Sequence, residues 1–304
     1  MSRICVLGSI NMDMVYEVES IPKEGETIEA KALNIYSGGK GLNQAIAASR
    51  LGGDVFFIGR VGKDDFGSSL VEVLKEEKVE TAYIRQSKEA ATGRAVIMTD
   101  KDGKNCITVL GGANMTLTKK DILAAEKDIV KAKIMVAQFE VPMETILEGF
   151  KAAKKGRVTT ILNPAPAKNI PEELYAVTDI IIPNETELEK ISNKKVTSIE
   201  EAIEASRVII NKGVKVVIAT LGAAGALAVT EKETIHIKGI KVKAVDTTAA
   251  GDSFIGALAY KLSHKECTLE NGLEEIITFA NKAAALTVQR KGAQPSLPYL
   301  YEIE

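Results

Sequence analysis

The chain has 304 residues, 45% apolar and 26% charged, with 39 basic residues against 41 acidic ones and a formal net charge of −2. Such a composition fits a globular protein with a full core, and its length suggests roughly two domains or one large α/β domain with an insertion. With no basic block, no Trp and 5% aromatics, it offers neither a nucleic-acid surface nor a base-stacking platform.

In chain order, Arg3 to Leu7 reads as a short apolar strand ending at Gly8. Val15 to Tyr36 alternates polar and apolar residues, as half-exposed strands do. Gly41 to Leu51 has helix periodicity and stops at Gly52-Gly53, a plausible C-cap. Val55 to Ile58 is a strand, and Asp64 to Glu77 a helix with an acidic start. Arg94 to Leu110 is a hairpin around Asp100-Lys101-Asp102-Gly103. Ile134 to Phe139, Thr159 to Leu162, Ile180 to Ile182 and Val214 to Thr220 are β-branched apolar runs, suited to strands buried on both faces of a parallel sheet. Helical patterns intervene at Lys119 to Lys131, Met143 to Lys154, Glu185 to Ile191 and Ser198 to Asn211. Another starts near Ala249 and runs through Leu262, and the last covers Leu269 to Val288.

This βαβ alternation predicts one doubly wound α/β domain over residues 1–304, its mostly parallel sheet flanked by helices. The two half-polar segments, approximately 14–36 and 94–110, predict a small separate sheet. Each adjoins a glycine pair (Gly38-Gly39 and Gly111-Gly112), so the sheet reads as a lid or as a decorated edge. Cys5, Cys106 and Cys267 lie far apart, which fits neither a zinc site nor a disulfide framework and favours a reducing cytoplasm. A cytoplasmic protein is also what a strand at the very N-terminus, without a signal peptide or membrane-length apolar run, leads one to expect. His236 and His264 have no partner at ligand or triad spacing.

The chemistry concentrates in Asp246-Thr247-Thr248-Ala249-Ala250-Gly251-Asp252. Unpaired N–H groups and the dipole at a helix start favour an anion, and small residues let it come close. Asp252 would repel a phosphate there. A carboxylate makes sense if it takes the proton from a hydroxyl about to attack that phosphate, which reads as phosphoryl transfer to an alcohol. A second stretch, Ser37-Gly38-Gly39-Lys40-Gly41-Leu42-Asn43, permits close backbone approach to a polar ligand, but lacks the Gly-Lys-Ser/Thr ending of a P-loop and the dinucleotide glycine spacing. Asn11-Met12-Asp13, past the first strand, either matches adjacent sugar hydroxyls or forms an Asx turn. Asn184-Glu185-Thr186-Glu187 either holds water around Mg²⁺ or caps a helix.

Taken together and in this order, the four stretches resemble the ribokinase-like (PfkB) carbohydrate kinases over nearly the whole chain. One family signature runs from Gly38-Gly39-Lys40-Gly41-Leu42-Asn43 to Gly62, the other from Asp246 to Ala259. The pattern stands nearest the ribose kinases of that family. The resemblance implies ATP-dependent phosphorylation of the 5-hydroxyl of D-ribose, giving ribose 5-phosphate and ADP. Alternatives are a kinase for 2-deoxyribose, another furanose or a nucleoside, and a catalytically silent sugar-sensing protein. It also implies a homodimer joined through the lid, with small-molecule substrates and neither nucleic acid nor membrane as partner.

By the same resemblance, Asp252 is the base, and Ala249, Ala250 and Gly251 form the anion hole. Asn11, Asp13, Gly39, Lys40, Asn43 and Glu140 hold the sugar. Asn184, Thr220, Leu221, Gly222, Gly225, Gly251 and Asn281 contact the nucleotide. Asn184 and Glu187 hold Mg²⁺ through water. A monovalent cation, K⁺ by expectation, falls to Asp246, Thr248, Thr287, Arg290, Gly292 and Ser296, mostly through carbonyls, since a guanidinium repels a cation. Ile255 and Asn281 depart from the residues that ribokinases often carry at those positions, Asn and His.

Overall fold

A computed structural model of the chain describes residues 2–264 and 272–303. From the N-terminus, β1 (Ile4–Leu7) leads into β2 (Asn11–Val18), β3 (Ala30–Gly38), α1 (Lys40–Arg50), β4 (Val55–Gly62), α2 (Asp65–Glu76) and β5 (Glu80–Ser87). The hairpin β6 (Gly93–Thr99) and β7 (Asn105–Leu110) follows, then α3 (Lys119–Ile129), β8 (Ile134–Gln138), α4 (Met143–Lys155) and β9 (Thr159–Asn163). Next come the short α5 (Glu172–Tyr175), β10 (Ile180–Ile181), α6 (Glu185–Ser192), α7 (Ile199–Ile210) and β11 (Val216–Thr220). The chain continues through β12 (Ala226–Thr230), β13 (Thr234–Ile237), α8 (Ala250–Ser263) and α9 (Leu273–Thr287). The first part of the helix expected over Leu269 to Val288 lies outside the described residues.

Among the described residues, nine strands form one sheet in the order β13-β12-β11-β10-β9-β8-β1-β4-β5, parallel except for the β11-β12-β13 edge. Strand pleating sends successive side chains to opposite faces, and two cores result. Ile4, Val6, Ile134, Val136 and Ile161 pack on one face with α1, α8 and α9. Cys5, Leu7, Met135, Ala137 and Leu162 pack on the other with α3, α4 and α7. This is the doubly wound arrangement read from the β-branched runs. Burial pushes the Cys5 thiol far above its ordinary value, so it is a packing residue.

A second sheet runs β3-β2-β6-β7, with β2 and β6 parallel and both outer pairings antiparallel. Its strands reach Asn11 and Gly38, further toward the main sheet than the alternating pattern suggested. Both of its faces carry exposed apolar residues at the outer strands: Leu33 and Ile35 of β3 on one, Ile107 and Val109 of β7 on the other, each between 45% and 54% exposed.

Helices α1 and α8 cross at Gly256. A Cβ there would stand 2.5 Å from Ala47 Cβ and 2.8 Å from Gln44 O. Because Gly256 is one turn beyond Asp252, this approach also sets the distance from Asp252 to α1. Gly256→Ala should therefore lower stability by about 1–3 kcal/mol, as overpacking does, although Ala in an open helix would gain about 0.5–1 kcal/mol. Urea unfolding decides the sign, and a midpoint at or above the wild-type value would show that the helices have room to part.

Candidate active site

Helix α8 starts in an unusual way. Ala249, its N-cap, takes the left-handed conformation at φ 61, a strained choice for a residue with a Cβ. Ala250 N donates to Thr247 O at 3.3 Å and Ser253 N to Ala249 O at 2.8 Å. The N–H groups of Gly251 and Asp252 remain as the donors of the first turn, where the helix dipole is positive. Ala249, Ala250, Gly251 and Asp252 line one wall of a cleft of about 200 Å³. Lys40, Asn163, Asn184, Glu187, Thr220 and Ile255 contribute to the remainder. An added Cβ on Gly251 would meet nothing within 4 Å, so this part of the wall is open.

Asp252 is 8% exposed and fully engaged. Its Oδ2 accepts from Asn43 Nδ2 at 3.0 Å and its Oδ1 from Gln44 Nε2 at 2.9 Å. Burial pushes its carboxyl up, while Lys40, Gln44 and Asn43 pull it back and Glu140 adds to the rise. The pKa ends above the ordinary aspartate value. Lys40 is surrounded by acid. Burial disfavours its charge, but Asp252, Glu140, Glu187 and Asp13 together hold its pKa above the ordinary lysine value.

Tight backbone geometry assembles the opposite end. Gly39 has φ 93, a region closed to most residues, and turns the end of β3 into α1. Glu140, beyond β8, accepts from Ser9 Oγ at 2.5 Å and from Lys40 N at 3.1 Å, so it joins the end of β1 to the start of α1. Asp13 lies over Gly38, where a Cβ would stand 2.0 Å from its Oδ2. Burial, with Glu140 and Asp252 nearby, raises the Asp13 carboxyl to about 7 despite Lys40. Asn11 Oδ1 accepts from Asn114 Nδ2 at 2.7 Å, and Asn114 Oδ1 accepts from Ile10 N at 2.9 Å.

The other expected residues fall into three places. Asn184 and Glu187 form a capping box at α6: Asn184 Oδ1 accepts from Glu187 N at 2.8 Å and Glu187 Oε2 from Asn184 N at 3.0 Å. They cap a helix, and both also line the cleft. Burial lifts the Glu187 carboxyl above its usual range, against the Asn184 N–H and Lys40. Thr220 ends β11, and Leu221, Gly222 and Gly225 form the turn into β12. Asn281 on α9 stands apart from the cleft lining. Its Nδ2 lies 3.5 Å from Ile237 O, the carbonyl that an added Cβ on Gly225 would strike.

In the third place, Asp246 Oδ1 accepts from Thr248 N at 2.9 Å and from its hydroxyl at 2.6 Å, and Oδ2 accepts from Gly292 N at 2.9 Å. Burial works upward on Asp246, but these bonds and Lys291 bring its pKa below the usual range. Thr287 O accepts from Arg290 N at 3.1 Å, and Ser296 hydroxyl donates to Ala293 O at 2.7 Å. The Arg290 guanidinium pairs with Glu302, which leaves only its backbone to face the loop. Both histidines bond to backbone carbonyls, His236 to Ala224 and His264 to Tyr260.

Two partners had no signal in the sequence reading. Asn114 follows β7 and reaches Asn11 across 103 positions, and Gln44 reaches Asp252 across 208. For Gln44, the hint available was its place next to Asn43 on the same buried turn.

A helix start open to an anion, a buried carboxylate beside it and a polar recess around Lys40 define a small-molecule kinase of the ribokinase-like fold. The profile described as pfkB family carbohydrate kinase matches residues 1–300, and the chain belongs to that family. It is 43% identical to a ribokinase of Staphylococcus aureus over 99% of this chain and 98% of that protein. A deoxyribokinase of Salmonella typhi is 36% identical over 97% of this chain and 95% of that protein. A structure of Arabidopsis thaliana ribokinase complexed with ribose and ATP matches with TM-score 0.90 and 35% identity, covering 99% of this chain and 97% of that one.

Proposed function

We propose that the chain transfers the γ-phosphoryl group of ATP to the 5-hydroxyl of D-ribose, giving ribose 5-phosphate and ADP. The observation that carries this reading is the Asp252 carboxylate, clamped by Asn43 and Gln44 at the open start of α8. In the reaction Asp252 takes the hydroxyl proton, the ribose oxygen bonds to phosphorus, and the bond from phosphorus to the ADP oxygen breaks. N–H groups around Ala249, Ala250 and Gly251 stabilise the charge of the transferring group.

Asn11, Asp13, Gly39, Lys40, Asn43 and Glu140 hold the sugar in this reading. Asn43 Oδ1 is buried without a partner among the described residues, as an acceptor awaiting a hydroxyl would be. The nucleotide lies along Asn184, Thr220, Leu221, Gly222 and Gly225, with Asn281 toward the adenine. Mg²⁺ typically keeps several waters and uses one or two carboxylates plus substrate phosphates, which suits Glu187 beside Asn184. Bound there, it would offset phosphate charge.

A monovalent cation, K⁺ in this reading, fits the loop at Asp246, Thr248, Thr287, Arg290, Gly292 and Ser296. The loop's own bonds tie Asp246 to Thr248 and Gly292, and the only guanidinium in that set is drawn away to Glu302. Such a cation would add positive charge beside the helix start. The small sheet serves as the lid and excludes water, a competing nucleophile. Exposed apolar residues on its outer strands, Leu33 and Ile35 of β3 on one face and Ile107 and Val109 of β7 on the other, suit contact with the same sheet of a second copy. A cytoplasmic location goes with the use of ATP.

The relatives include a deoxyribokinase, which keeps 2-deoxyribose as a second reading. A coupled ADP-release assay across ribose, 2-deoxyribose, fructose and adenosine separates the readings. Ribose should give the highest kcat/KM. A higher value for deoxyribose would reassign the substrate, and no release with any of the four would favour a sugar-binding protein.

A further inference from the structure

Asp252 is oriented by a chain of amides that begins far from the sugar. Asn163 Nδ2 donates to Ile182 O at 3.0 Å, and a carbonyl can only accept. The other atom of that amide, Asn163 Oδ1, therefore faces Gln44 and must accept, which it does from Gln44 Nε2 at 3.2 Å. The same nitrogen meets Asp252 Oδ1 at 2.9 Å, again an acceptor when ionised. Gln44 Oε1 is left to accept from Gln138 Nε2 at 2.7 Å. An amide side chain is ordinarily free to exchange its oxygen and nitrogen ends. Here both neighbours of Gln44 Nε2 are acceptors, and Gln138 supplies the donor its oxygen needs. All three amides are buried: Gln44 is 1%, Gln138 0% and Asn163 6% exposed.

We propose that Gln44 is a positioning residue for Asp252, its donor end fixed by Asn163 and Gln138, so that the carboxylate meets the incoming hydroxyl in one orientation. This rests on the reading of Asp252 as the base. Each carboxylate oxygen takes one amide N–H, from Gln44 and from Asn43, which restrains the carboxylate plane. The charged groups bearing on Asp252 are Lys40 of α1, Glu140 after β8, Asp13 of β2 and Glu187 of α6. None of them donates a hydrogen bond to Oδ1, so removing Gln44 leaves that oxygen without its donor.

The test uses Gln44→Met, close in length and shape but unable to donate, with Asp252→Asn in parallel. Single-turnover rates across pH separate chemistry from product release. Loss of one hydrogen bond to a charged group should slow the Gln44→Met step about 10- to 100-fold, with sugar KM within about threefold of wild type. Because the Gln44 bond favours the ionised carboxylate, its loss should also move the acid limb of the profile to higher pH. A role confined to packing would lower the melting temperature without moving that limb.

A rate within about twofold of wild type and an unmoved acid limb would overturn the proposal, taking twofold as below the effect of one charged hydrogen bond. Should Gln44→Met fail to fold, Asn163→Leu tests the same chain, since it frees Gln44 to turn its oxygen toward Asp252. That variant should slow the step and shift the limb upward too, and a wild-type profile would overturn the proposal. A large loss in Asp252→Asn with an unchanged Gln44→Met rejects the positioning role alone. Near-normal turnover in Asp252→Asn rejects the base itself.

Discussion

Asp252→Asn should retain ribose binding and lose most of its turnover, by about 10²–10⁴-fold, the usual worth of general-base catalysis. Asn has the shape of Asp, so the packing of α8 against α1 through Gly256 is undisturbed. Two neighbouring amides then matter. Asn43 Nδ2 and Gln44 Nε2 both point donors at this side chain, and a carboxylate accepts from both. An amide at position 252 presents only one acceptor oxygen, so one donor must turn or go unpaired. The variant should therefore bind sugar somewhat less well and be slightly less stable, but these are small beside the loss of the proton acceptor. Calorimetric ribose binding together with a kcat measurement separates the effects. Turnover within tenfold of wild type, below the usual range for a base, would remove Asp252 from the chemistry.

Gly38→Ala should damage sugar binding with little cost to the fold. The added Cβ would lie 2.0 Å from Asp13 Oδ2 and 2.4 Å from its Cγ, and no other group stands nearer. Relief comes when the Asp13 carboxylate swings out of its place, so the variant should resemble Asp13→Ala. Each sugar hydroxyl that loses a charged acceptor should raise KM about 10- to 100-fold. The position of the carboxyl near 7 gives a second signature. The ionised form accepts from hydroxyls, so sugar KM in the wild type should fall as pH rises through about 7. The sign for stability is opposite. A carboxyl raised in the fold contributes stability that is present at low pH and is lost as pH climbs through that value. Asp13→Asn should thus gain in melting temperature relative to wild type at pH above 7, while its sugar KM loses the pH dependence. Equal KM values for wild type and Gly38→Ala would show that Asp13 does not touch the sugar.

The central strands and most helices were legible because their signals are local. β-branched runs gave β8, β9 and β11 within two residues, and Asp64, Ser198 and Asn184 cap the helices they precede. β5 went unread because it is an edge strand: Glu80, Arg85 and Gln86 are exposed, and the apolar signal is diluted. β12 is apolar up to Thr230, but its run Ala226-Leu227-Ala228-Val229 follows a glycine-rich turn that reads as loop. The parallel pairing of β2 with β6 joins segments some eighty positions apart, and no local pattern encodes it.

The candidate site divides along the same line. The stretch from Asp246 to Asp252 announced an anion beside an acid, because helix starts and small residues carry that meaning within seven positions. The fixed geometry of Asp252 depends on amides from α1, β8 and β9, and no local pattern in the chain joins Gln44, Gln138 and Asn163. The left-handed turn at Ala249 was likewise hidden, since alanine carries no sequence mark of a positive φ.

In the proposed reaction a ribose hydroxyl at Asp252 attacks the phosphoryl group held at the start of α8. Incubating the purified protein with ATP, Mg²⁺, K⁺ and ribose and following the product by phosphorus NMR probes this step. ADP should form in equal amount to a sugar phosphate whose phosphorus couples to the two hydrogens on carbon 5. A phosphate on the anomeric carbon, or ADP released at the same rate without sugar, would rule out attack by the 5-hydroxyl at Asp252.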